Sequence, residues 1–204
     1  MKRPFAFLLT MVVLCGGAGA SGKPPKAQPA STYSAVDAHP QEGVTIAVDA
    51  FDTPERTGFL RLNYLQKDLM LVRVIVTNTS DRVIQMDDVR MQFISADNDR
   101  IPAATPEEVE RRMSDVRDPS HKVWKSPIPL PQKAPKIKKV EQDMAEFSFN
   151  ALQVQPHTTQ AGFLWYDVSG LATPVLRGAQ IYVKMVKDAD GKDLFPFTIP
   201  FQGK

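Results

Sequence analysis

Leu71-Val72-Arg73-Val74-Ile75-Val76-Thr77, followed by Asn78-Thr79-Ser80-Asp81, is the stretch that decides the fold class. Val72, Val74 and Val76 point one way and Arg73, Ile75 and Thr77 the other, the period of two that belongs to a strand. Short polar residues that bond their own backbone then end the run as a turn.

The same alternation recurs on both sides. Upstream, Val44, Ile46 and Val48 alternate with Thr45, Ala47 and Asp49. Between these two strands, residues 52–68 carry Phe59, Leu60, Leu62, Tyr64 and Leu65 in a spacing that fits a short helix or a strand. Downstream, Val89, Met91 and Phe93 alternate with Arg90, Gln92 and Ile94 and stop at the turn Asp97-Asn98-Asp99. Strand patterning resumes at Glu146-Phe147-Ser148-Phe149, then over 162–168 and 181–185. Asp188-Ala189-Asp190-Gly191 turns the chain into Leu194 to Phe201, where Pro196 and Pro200 place the last strand at a sheet edge. About seven short strands with turn signals between them predict a mainly β fold: an immunoglobulin-like antiparallel β-sandwich with one short helix in a long inserted loop.

That helix is read from Thr105-Pro106-Glu107-Glu108, an N-cap threonine, a proline at the first helical position and a glutamate at the capping-box position. It runs to about Ser114, inside an insert spanning about 103–139. The rest of the insert is rich in proline and lysine. From Pro119 to Val140 there are six lysines (Lys122, Lys125, Lys133, Lys136, Lys138 and Lys139), no acidic residue, and Trp124 among them. Proline at this density predicts an extended, polyproline-like path, a form suited to binding because little entropy is left to lose.

Several of these segments resemble the small immunoglobulin-like domains of uncharacterised bacterial secreted proteins and lipoproteins. The resemblance rests on Val72–Ser80, Asp97-Asn98-Asp99, Gly162-Phe163-Leu164-Trp165-Tyr166 and the Asp190-Gly191 turn, and it spans residues 43–203. It implies a fold and a location outside the cytoplasm, and it carries over no functional residues.

The start of the chain predicts the same location. Lys2 and Arg3 precede an apolar run, Phe5 to Leu14, and small residues Gly16 to Ala20, with Ala18-Gly19-Ala20 as a cleavage site. The run is about ten residues long where a membrane span needs about 20. Residues 1–20 are therefore expected to be a signal peptide, 21–42 a disordered linker rich in proline, and 43–204 the domain. Cys15 opens an alternative, a lipoprotein signal cut before that cysteine, although Val12-Val13-Leu14 lack the small residue usual at such a cut.

Composition narrows the function. The chain has 25 Lys and Arg against 23 Asp and Glu, and without Lys2 and Arg3 the two balance. A neutral exported domain argues against nucleic acid as partner and against a membrane partner unless Cys15 is lipidated. Cys15 is the one cysteine, so after cleavage no disulfide or thiolate site can form.

Candidate chemistry is sparse. His39, His121 and His157 are the three histidines, without metal-ligand spacing or a G-x-S-x-G elbow. Asp188-Ala189-Asp190-Gly191-Lys192-Asp193 resembles the start of a calcium loop but lacks its closing glutamate and reads as a hairpin turn. Methionines on the strand faces read as core. No catalytic residue, metal ligand or cofactor is assigned. The expected function is a non-catalytic binding or scaffolding protein of the bacterial envelope, periplasmic or secreted. Lys122, Trp124, Lys125, Lys133, Lys136, Lys138 and Lys139 are its candidate contact surface for an envelope protein or an anionic envelope polymer. A secreted hydrolase using a carboxylate acid/base pair and a metal-binding carrier are the alternatives.

Overall fold

The strand Leu69–Asn78 is buried along nearly its whole length, so both of its faces must be covered. This is the departure from a simple two-sided strand, and the rest of the architecture supplies the two covers. The computed structural model describes residues 23–114 and 135–201. Residues 1–20, expected to be a signal peptide with Cys15 among them, and His121, Lys122, Trp124, Lys125 and Lys133 lie outside them.

In chain order the strands are β1 (Ala35–His39), β2 (Val44–Phe51), β3 (Leu69–Asn78), β4 (Ile84–Gln85), β5 (Arg90–Ile94) and β6 (Arg100–Pro102). Two helices, α1 (Pro106–Met113) and α2 (Pro135–Phe147), come next, then β7 (Gln153–Val154), β8 (Thr158–Asp167), β9 (Gln180–Lys184) and β10 (Phe197–Pro200). One sheet has the order β1-β2-β3-β8 and a second the order β10-β9-β5-β6, with β4 and β7 as a separate two-stranded pair. Every strand pair is antiparallel, as expected of a mainly β fold.

The first cover is sheet on sheet. Val44, Ile46, Val48, Val72, Val74 and Val76 of the first sheet pack in one cluster with Phe93, Ile181, Val183, Phe197 and Ile199 of the second. Each fully buried side chain of this size contributes about 1.5–3 kcal/mol. The second cover is helical. Phe51, Leu69, Leu71, Phe163 and Trp165 share a cluster with Val109 and Met113 of α1 and Val140, Met144 and Phe147 of α2. Beyond the helices the same sheet is roofed by the N-terminal segment, where Ala30 packs on Ala47 and Ile75.

Two expectations are corrected here. Residues 21–42 are not a linker throughout: β1 lies within them and pairs with β2 from Ala35↔Val48 to His39↔Val44. Upstream of it, Ala30 N–H donates to Thr77 Oγ1 at 2.8 Å and Arg73 Nη1 donates to the Pro25 carbonyl at 2.6 Å. The polar and proline-rich composition hid a strap held by side chains of the strand below it. The insert, too, departs from expectation: it holds α1, and a second helix, α2, begins within it and runs past its end. Lys136, Lys138 and Lys139 stand on α2 rather than on an extended path, and Glu146-Phe147 closes this helix instead of opening a strand. Val140, Met144 and Phe147 recur at i, i+4 and i+7, a helical stripe, and Pro135 begins the helix, where its missing N–H costs nothing. The α1 capping box forms as expected, with Glu108 N–H donating to Thr105 Oγ1 at 3.3 Å and Thr105 N–H to Glu108 Oε2 at 2.8 Å. The open segment 52–68 is a series of turns with a short 3-10 helix, Leu65–Lys67.

Sheet edges invite unwanted pairing, and two of the edge strands here are closed. On β8, Phe163 O accepts from Phe149 N–H at 3.0 Å and Trp165 O from Ala104 N–H at 2.8 Å, so the residues just before α1 and just after α2 staple the helical insert to that edge. Gly162 permits the crossing, because a Cβ there would strike the backbone of Phe149. On β10, Phe201 N–H donates inward to Ala179 O, which turns positions 196, 198 and 200 outward. Pro196 and Pro200 have no N–H, and Thr198 N–H donates to Asp37 Oδ2 at 2.8 Å. The expected edge position of the last strand is borne out, and prolines and a carboxylate from β1 together seal it.

Candidate functional site

The helical pair is positioned by one buried carboxylate. Asp143 lies on the inner side of α2 between Val140 and Met144 and is completely buried. A lone carboxylate there would be costly, and the segment 52–68 satisfies it. Arg61 Nη1 donates to Asp143 Oδ1 at 2.8 Å, Arg61 N–H reaches Oδ2 at 3.1 Å, and the Tyr64 hydroxyl donates to Oδ2 at 2.9 Å. A second guanidinium nitrogen of Arg61 bonds Glu146 Oε2 at 2.7 Å, one helical turn further on. These bonds hold the guanidinium pKa above its ordinary value. Burial, then the negative charge of Asp143, pushes the Tyr64 phenol up from its ordinary value.

The knot fixes which side of α2 meets solvent. Lys136, Lys138 and Lys139 are all exposed, so the described part of the expected lysine surface is brought together on one helix. Its other members lie outside the described residues. Arg112 secures α1 in a similar way, donating from Nε to Lys67 O at 3.1 Å and from Nη2 to Asp167 Oδ1 at 2.9 Å.

The remaining sequence candidates take structural positions. Asp188 Oδ1 accepts from Asp190 N–H at 2.9 Å and from Lys192 N–H at 3.0 Å, closing a turn between strands. His157, with φ 54°, occupies a turn and meets Asp81 Oδ1 at 2.8 Å on the surface. His39 Nδ1 lies 2.9 Å from Glu42 Oε2, and its ring stacks on Phe197 at 3.9 Å. Met70, Met86, Met91, Met113 and Met144 are buried in the core. Among the described residues no group of three His, Cys, Asp or Glu is placed to hold a metal ion. No described helix is long and apolar enough to cross a membrane.

Sequence reading missed Arg61, Tyr64 and Asp143. One signal was available: Asp143 interrupts an apolar helical stripe, and an acid in that position needs a partner. Arg73 gave a similar signal inside the central strand. It is buried, its Nη1 holds Pro25, and its guanidinium lies 5.6 Å from the centre of the Phe163 ring. Comparison with known protein families finds no model that matches the chain, and no curated protein matches it either.

Proposed function

We propose that the chain is a non-catalytic binding or scaffolding module of immunoglobulin-like type that works outside the cytoplasm, in the bacterial envelope. The observation that carries this reading is the outward lysine face of α2 on a helix locked from below by Asp143, Arg61 and Tyr64. A rigid helix that shows several cations loses little entropy on meeting a partner, and lysine suits an anionic polymer or an acidic protein surface. The closed edges of β8 and β10 also support it, since they turn a partner away from strand addition at those two edges and toward side-chain contacts. The leader-like residues 1–20 support the location, with free Ser21 or lipidated Cys15 as the two forms of the mature N-terminus.

The test is charge reversal across Lys133, Lys136, Lys138 and Lys139, read by co-sedimentation of the protein with isolated envelope and by crosslinking in cells. Association is expected to fall and to weaken with salt. Unchanged association in every assay overturns the reading. Mass spectrometry of the native N-terminus checks the location, and an intact Met1 in purified native protein counts against export.

A further inference from the structure

Three turns from both sheets meet at one end of the sandwich: Pro40–Gly43 between β1 and β2, residues 79–83 between β3 and β4, and residues 188–194 between β9 and β10. Together they line a cleft of about 450 Å³. Beside it, sharing Pro40, Gln41 and Glu42, a second hollow of about 470 Å³ is walled by Phe195. Phe195 is 77% exposed, which is unusual for a phenyl ring when the other aromatics among the described residues are largely packed. Loop clusters held on a rigid scaffold are where binding commonly sits.

The walls are set before any ligand arrives. A Cβ at Gly43, whose φ is +68°, would lie 2.7 Å from Ser80 Cβ, so only glycine lets the first two turns approach this closely. Thr79 N–H donates to Gly43 O at 2.7 Å. Glu42 ties the third turn, accepting from Phe195 N–H at 3.4 Å on one oxygen and meeting His39 on the other. Arg82 is engaged by Asp190 at 2.6 Å.

We propose that this end of the sandwich binds a neutral oligosaccharide, one sugar face lying on the Phe195 ring and its hydroxyls meeting Gln41, Lys192 and Asp193. The lining selects that class. Arg82 and Lys192 stand against Glu42, Asp188 and Asp193, so there is no surplus of positive charge for a polyanion. Glu42 and Asp188 are already held by His39 and by backbone N–H groups, which leaves little for a cation. Sugar hydroxyls both donate and accept, matching an ammonium, an amide and a carboxylate side by side. The axial C–H groups of a pyranose carry partial positive charge and suit the negative face of an aromatic ring. This site is separate from the lysine face of α2 and goes beyond the function proposed for it.

The experiment is saturation-transfer NMR and calorimetry on the purified protein with three uncharged probes, N-acetylchitotetraose, maltotetraose and cellotetraose. At least one saccharide should bind saturably. Phe195→Ala and Lys192→Met should each weaken it about tenfold, as loss of an anchoring contact does, while Phe195→Tyr retains it. Both positions are exposed, so thermal melting should match the wild type. Lys138→Glu with Lys139→Glu should leave sugar binding unchanged, which separates this site from the lysine surface. Absence of binding to every saccharide, or binding indifferent to both Phe195→Ala and Lys192→Met, overturns the proposal.

Discussion

The Tyr64 hydroxyl donates to the buried carboxylate of Asp143 at 2.9 Å, joining the segment before β3 to α2. Removing either partner strands a buried polar group, which costs about 1–3 kcal/mol. Asp143→Ala should therefore destabilise the fold by that amount, and Tyr64→Phe by less, since Arg61 still serves the carboxylate. Urea titrations of both variants and of the double variant measure this. The two effects should be non-additive; strict additivity would mean that the bond does not couple helix and sheet.

Alkaline pH should loosen the molecule through two phenols. Burial raises the pKa of both Tyr64 and Tyr166 above the ordinary value near 10. Below the unfolded pKa both states keep the proton and the full contribution is present. Above it the unfolded chain ionises while the folded one does not, so stability falls as pH rises, by about 1.4 kcal/mol per pH unit for each such group. Phenolate absorbance from these two residues should appear only with unfolding, and Tyr64→Phe should make the pH slope shallower.

Gly162→Ala should be among the more damaging single-methyl changes. The added Cβ meets the Phe149 backbone rather than a yielding side-chain tip, and overpacking of this kind costs about 1–3 kcal/mol. Hydrogen exchange reads the mechanism directly. The Phe149 amide, which bonds Phe163 O, should lose protection in the variant well beyond amides in β9.

Opening the sealed edge should make the protein self-associate. Pro200→Thr restores an outward N–H on β10, and Asp37→Ala frees that of Thr198. The double variant should form dimers or larger species by sedimentation velocity at concentrations where the wild type does not. If it sediments like the wild type, some other feature protects that edge.

How much of this was legible in the sequence depended on whether local pattern or distant partners decided the outcome. β2, β3, β5, β8 and β9 announced themselves by alternation, and α1 by its capping box, because each signal sits within a few residues. β1 did not, since Ala35-Val36-Asp37-Ala38-His39 has little apolar weight and its cover comes from β2 and β10. The helix α2 was masked at its start by lysine and proline, which drew the extended reading across Val140, Met144 and Phe147. The full apolar run of β3, with Ile75 on what seemed the outer face, was the sign that a third layer exists. Of the lysine surface, only Lys136, Lys138 and Lys139 fall on described residues. The Asp143 knot drew on residues of a segment whose conformation local pattern left open.

The pairing of β3 with the edge strand β8 joins Asn78 to Thr158 and Leu69 to Asp167. Everything from β4 to β7, both helices included, lies between those partners in the chain. The sheet therefore cannot close until late in synthesis, and such long-range closure is slow. For a chain threaded outward as an open polymer, as proposed for this one, that slowness is a period of grace in which the translocation machinery meets nothing it would have to pull apart.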